Sequence, residues 1–110
     1  MKSVTAWLIL AILAPTLAAC GEIYGTVKEG VTPVGEGVEM AIVFPDTTYT
    51  GKTADRGRYS ICVARVGKCT VRVAYADQTP EAEIYSFEES ARYNLILQRQ
   101  PDGKYTITVK

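Results

Sequence analysis

The stretch YSICVARVGKCTVRVAY, residues 59–75, decides the fold class. Tyr59, Ile61 and Val63 alternate with Ser60 and Cys62. Cys69, Val71, Val73 and Tyr75 alternate with Thr70, Arg72 and Ala74. A period of two belongs to a strand with one buried face, since a helix would bring its apolar residues back roughly every 3.6 positions. Val66-Gly67-Lys68 interrupts the two runs and reads as the turn of a hairpin.

Outward from this centre the pattern continues in both directions. Residues 22–28, 38–44, 48–54, 81–87, 91–99 and 104–110 read as further strands, with 69–76 as the second arm of the hairpin. Gly and Pro punctuate them: a loop at 29–37, Pro45-Asp46, a tight turn at Asp55-Arg56-Gly57, Pro80, and Pro101-Asp102-Gly103. Seven or eight short strands in residues 20–110 match the size and count of an all-β, immunoglobulin-like antiparallel sandwich. The expected core is Val27, Val38, Met40, Ile42, Tyr59, Ile61, Val71, Val73, Leu95 and Leu97.

The whole chain has 110 residues and no formal net charge, which suits one domain and disfavours a nucleic-acid partner. It contains no histidine. That removes the commonest general base and metal ligand, and with them a Ser-His-Asp hydrolase. Residues 4–19, VTAWLILAILAPTLAA, carry no charge and follow Lys2. A basic start, an apolar stretch and small residues at its end describe a secretory signal. A permanent transmembrane helix is the competing reading. It needs roughly 20 apolar residues, whereas this run is shorter and holds Pro15.

Leu17-Ala18-Ala19-Cys20 resembles the lipobox of bacterial lipoproteins. The resemblance implies a signal peptide over 1–19, a mature domain over 20–110, and diacylglyceryl and palmitate-type acylation at Cys20. It also implies a place in the bacterial cell envelope. Gly21, where an Asp would retain such a protein at the inner membrane, favours the outer membrane, facing the periplasm, in a Gram-negative source. Two or more acyl chains make a stable anchor where one does not.

With Cys20 acylated, Cys62 and Cys69 are left as a pair, and an exported protein permits a Cys62–Cys69 disulfide. A regular hairpin would put the two cysteines on opposite faces, so a bulge is needed to join them, and two unpaired thiols remain the alternative. Two cysteines without histidine do not make a metal site.

Three segments, YGTVKEGVTPVGEGVEMAIV (24–43), TYTGKTADRGRYSI (48–61) and GKCTVRVAYADQ (67–78), resemble the carboxypeptidase regulatory-like domains, which have a transthyretin-like sandwich. Gly25, Val27, Gly37, Val38, Thr53, Asp55, Gly57, Tyr59, Gly67, Val71 and Val73 carry the resemblance over about residues 22–99, and Cys69 departs from it. It implies structural positions, a cap for Asp55 and packing for Tyr59 among them. It implies no catalytic residues or cofactor, and accessory, adhesive or carbohydrate-contacting roles.

The remaining chemistry is sparse. Glu81/Glu83 and Glu88/Glu89 are carboxylate pairs that read as solvated surface rather than as a glycosidase couple. All seven tyrosines lie after residue 19. Most suit core edges, while Tyr49 and Tyr85 flank loops and are candidate binding residues. The expectation is a lipid-anchored, non-enzymatic envelope module for protein interaction or support. The alternative is a glycan or peptidoglycan contact module that uses exposed tyrosines.

Overall fold

The computed structural model describes residues 20–110, so the expected signal segment 1–19 lies outside the described residues. Ten strands form two facing sheets: β1 (Gly21–Glu29), β2 (Thr32–Pro33), β3 (Glu39–Val43), β4 (Thr48–Lys52), β5 (Arg58–Val63), β6 (Gly67–Val73), β7 (Glu81–Ser86), β8 (Ala91–Arg92), β9 (Leu95–Arg99) and β10 (Tyr105–Val109). The all-β sandwich is as expected. The strand count is higher for two local reasons. Residues 32–33, within the Gly/Pro-rich loop, fold back on the end of β1. The run 91–99 is broken at Tyr93 and Asn94.

The first sheet is built around β1. On one side lie β5 and β2, both antiparallel to it. On the other lie β8 and β9, both parallel to it, and β10 closes that edge antiparallel to β9. The second sheet runs β4-β3-β6-β7, antiparallel throughout. A wholly antiparallel sandwich is therefore corrected to a mixed one. The chain leaves the first sheet after β5 and passes through β6 and β7. It re-enters beside the start of β1, so it must run in the same direction as β1.

The same excursion corrects the hairpin. β5 pairs with β1, whereas β6 pairs with β3 and β7. Residues 64–66 are not a turn between neighbours but a crossover between sheets. Facing sheets let the inward set Tyr59, Ile61 and Val63 and the inward set Cys69, Val71 and Val73 join one core. Nine of the ten expected core residues are buried, and Val38 packs half-buried against them. Ile23, Val34, Phe44, Val63, Cys69 and Ile84 complete the interior. Burying an aliphatic side chain is worth about 1.5–3 kcal/mol, so this shared interior dominates the favourable side of folding.

Gly25 shows why β8 and β9 are separate. Both keep the same offset from β1, 68 residues, which places Tyr93 beside Gly25 and Asn94 beside Thr26. The Tyr93 carbonyl turns inward there, and the Tyr59 hydroxyl donates to it at 2.7 Å. A Cβ on residue 25 would lie 2.0 Å from that oxygen. Only glycine tolerates this approach. Gly25 thus serves a close crossing inside a strand rather than a turn.

Thr53 and Asp55 show how the loops are held. The buried Thr53 hydroxyl donates to the Gly35 carbonyl at 2.7 Å and accepts from the Val38 amide at 2.9 Å. Asp55 opens a single 3-10 turn. Its carboxylate pairs with Arg58 instead of capping the backbone.

Candidate functional site

One end of the sandwich collects the features that a site would need. Gly21 opens β1 opposite Val63, the last residue of β5. Gly67 opens β6 opposite Ser86, the last residue of β7. The crossover 64–66 and the β7–β8 loop therefore emerge together beside Cys20. Two hydrogen bonds fix them: Ser86 Oγ donates to the Arg65 carbonyl at 2.6 Å, and Arg65 Nη1 to Asp46 Oδ2 at 2.5 Å. That guanidinium holds the Asp46 carboxyl below its ordinary value. Gly21 sits so close beneath the β7–β8 loop that a Cβ there would lie 2.2 Å from the Phe87 carbonyl oxygen.

Cys20 is bonded to Cys62, with their α-carbons 5.6 Å apart. The expected Cys62–Cys69 disulfide is therefore overturned. Cys62 lies on the exposed outer face of β5 in one sheet. Cys69 points into the core from β6 in the other, at 4% exposure. No bulge joins side chains on opposite sides of a sheet layer. Burial pushes the Cys69 thiol above its ordinary value, so it stays protonated and behaves as a small apolar residue.

Around the disulfide the surface is apolar. Cys20, Gly21, Ala64, Val66 and Phe87 line one hollow, with the Glu88 carboxylate residue at its rim. Val66 is 58% exposed, Phe87 48% and Tyr85 48%. Tyr85 and Phe87, two apart on β7 and its extension, share one face and meet edge to face at 5.5 Å. The Tyr93 hydroxyl covers the edge of β7, donating to the Tyr85 carbonyl at 2.7 Å and accepting its amide at 3.2 Å. Sequence reading missed Val66 and Phe87, since a lone Val in a turn and a Phe at the end of a weak strand carry no signal until the fold sets them side by side.

The candidate tyrosines are not brought together. Tyr49, on β4, pairs with the inward-facing Ile42, is half-buried, and packs edge to face on Phe44 at 6.0 Å. Tyr85, on β7, pairs with the exposed Lys68. They occupy opposite edges and opposite faces of the second sheet, so they form no common stacking platform. The carboxylate pairs are likewise peripheral. Glu81 is bridged by Arg72 at 2.8 Å, and Glu88 and Glu89 are exposed.

The far end of the sandwich holds a carboxylate that sequence reading passed over. The Glu29 oxygens accept from the Tyr75 hydroxyl at 2.6 Å and from the Tyr105 hydroxyl at 2.7 Å, and the two rings meet edge to face at 5.3 Å. These bonds hold the Glu29 carboxyl below its ordinary value. Tyr75 is pushed up to about 12, chiefly by its bond to Glu29. With each oxygen engaged, Glu29 is a clasp between β1, β10 and the end of β6. Among the described residues no group of three His, Cys, Asp or Glu could hold a metal ion.

No family model matches this sequence, and a search of curated proteins finds no match. Among solved structures the fold is similar to the Bacillus anthracis TIE protein, with a TM-score of 0.57 at 17% sequence identity. The alignment covers 73% of this chain and 16% of that one, so this chain spans a small part of the other's length. At that identity the likeness shows the fold alone, and the fold it shows is a β-sandwich.

Proposed function

We propose that this chain is an exported, non-enzymatic β-sandwich module held at a bacterial envelope membrane through its N-terminal end, by a diacylglyceryl thioether on Cys20. One observation carries this reading. The lipobox-like Leu17-Ala18-Ala19-Cys20 ends where the folded body begins, and Cys20 is exposed at one tip of the sandwich. Gly21 in place of Asp favours the outer membrane of a Gram-negative cell, with the domain in the periplasm.

We further propose a carboxypeptidase regulatory-like assignment. It rests on the positions that carry the resemblance having defined structural tasks, among them Gly25 at the Tyr93 crossing and Thr53 in the 35–38 loop. Such a body presents loops to an envelope partner and needs no cofactor.

A sulfur atom can hold the thioether or the Cys20–Cys62 disulfide, not both. In the anchored form Cys62 is a free, exposed thiol. The test is the intact mass of the protein from a bacterial membrane fraction, alkylated before and after reduction. The anchored reading expects residues 20–110 plus an acylated glyceryl adduct, with Cys62 alkylated without reductant. A chain without adduct, in which Cys20 and Cys62 become alkylated only after reduction, overturns it.

A further inference from the structure

We infer that the Cys20 tip of the sandwich is itself a membrane contact: Val66, Phe87 and Tyr85 lie in the headgroup region of the bilayer to which the chain is attached. This rests on the anchored reading and adds to it the orientation of the domain.

Two independent observations meet at this tip. The charge-free run of residues 4–19 joins the folded body at Cys20, with no spacer before β1. With acyl chains on Cys20, as the anchored reading has it, the tip is within one residue of the membrane. Separately, five large apolar side chains are exposed among the described residues: Tyr24, Val31, Val66, Tyr85 and Phe87. Three of them gather at this end, where nothing else in the described fold covers them. An exposed apolar cluster marks a contact surface. A phenol beside a phenyl ring suits the boundary between headgroups and acyl chains, where aromatic side chains concentrate.

The charges set the kind of surface. Glu88 and Glu89 lie on the same loop as Phe87 and outnumber Lys68, the exposed residue opposite Tyr85, while Arg65 is engaged by Asp46. An anionic surface would repel this tip. The occupant is therefore a zwitterionic or neutral headgroup layer, entered to a shallow depth of about 5–10 Å.

The test uses the full chain, expressed in a bacterial membrane, purified with its anchor and reconstituted into phosphatidylcholine vesicles. Trp7, the sole tryptophan, lies in the segment that the anchored reading removes, so the mature body has no tryptophan of its own. Single reporters are then placed as Phe87→Trp, Val66→Trp and, at the opposite end of the sandwich, Lys104→Trp. All three sites are exposed, so the fold is retained. Brominated acyl chains should quench the reporters at 87 and 66, more strongly with bromine near the carbonyl end than deep in the chain, and leave 104 unquenched. Vesicle-bound protein with no quenching at 87 and 66, or with equal quenching at all three, overturns the inference while the anchor stands. Protein that fails to float with the vesicles defeats the anchored reading, and this inference with it.

Discussion

Cys20 and Cys62 stand 5.6 Å apart at their α-carbons and 42 residues apart in sequence, and their bond ties the first residue of the sandwich body to the outer face of β5. Cys62 lies opposite Glu22 in the β1–β5 ladder, so the geometry that allows the bond exists before any sulfur chemistry takes place.

Closing a loop of that length is worth roughly 4 kcal/mol in the chain-entropy model. In protein without a lipid adduct, Cys62→Ser should lower unfolding stability by up to about that amount, measured by urea titration. In acylated protein the same substitution should change stability by well under ~1 kcal/mol, because no loop is closed there. Cys69 should resist iodoacetamide in the native protein and react once urea unfolds the chain. In acylated protein, where Cys62 is a free thiol, equal reactivity of Cys62 and Cys69 under native conditions would contradict their placement on opposite sides of the sandwich layers.

Gly25→Ala should destabilise the fold by roughly 2 kcal/mol or more, since the Tyr93 carbonyl occupies the space a methyl group needs. Tyr59→Phe removes only the hydroxyl that meets the same carbonyl and should cost about 1 kcal/mol. Thermal unfolding of both variants checks the order. Gly21→Asp, the substitution that would probe sorting between membranes, should also loosen the Cys20 tip through its clash with the Phe87 carbonyl. A mislocalised Gly21→Asp protein must therefore be tested for folding before it is read as missorted.

The Glu29 clasp makes stability depend on pH at both extremes. The folded carboxyl titrates below its ordinary value of 4.5, so its contribution is complete above that value and is lost as pH falls below it. The folded Tyr75 hydroxyl titrates at about 12 against an ordinary 10, so its contribution is complete below pH 10 and is lost as pH rises toward 12. Glu29→Gln should flatten the acid limb of a stability-against-pH curve and bring the alkaline limb closer to that of an ordinary tyrosine. An unchanged curve would show that the two hydroxyls do not hold the carboxylate in solution.

Ala76 and Asp77 form a two-residue turn, closed by paired hydrogen bonds between Tyr75 and Gln78 at 2.9 Å, and both have positive φ, 53° and 62°. Side chains rarely adopt that region, and Asn-Gly is the sequence that suits such a turn. Replacing both, Ala76→Asn with Asp77→Gly, should raise stability by ~1 kcal/mol and the unfolding midpoint by about 4–8 °C, seen by calorimetry. The gain should require Tyr75 and Gln78 intact, since the turn presents Tyr75 to Glu29 and Gln78 to the Tyr105 amide.

Much of this protein is legible along the chain because the information is local. Alternation over five to nine residues marks β1, β3, β5, β6, β7 and β9 wherever a strand ends, since a strand exposes one face and buries the other. The apolar run before Cys20 needs no fold to be recognised. Partnership is not local. Tyr59–Val63 and Cys69–Val73 carry the same pattern whether they lie side by side or face each other across a core. Only the common interior, shared with Ile23, Leu95 and Leu97, decides that they face each other. That decision separates Cys62 from Cys69, brings Cys62 to Cys20, sets β8 and β9 parallel to β1, and places Val66 beside Phe87. By itself the sequence determined which residues turn inward. The tertiary structure decided which residues meet, because a buried face can be satisfied by any apolar partner until the whole core is assembled.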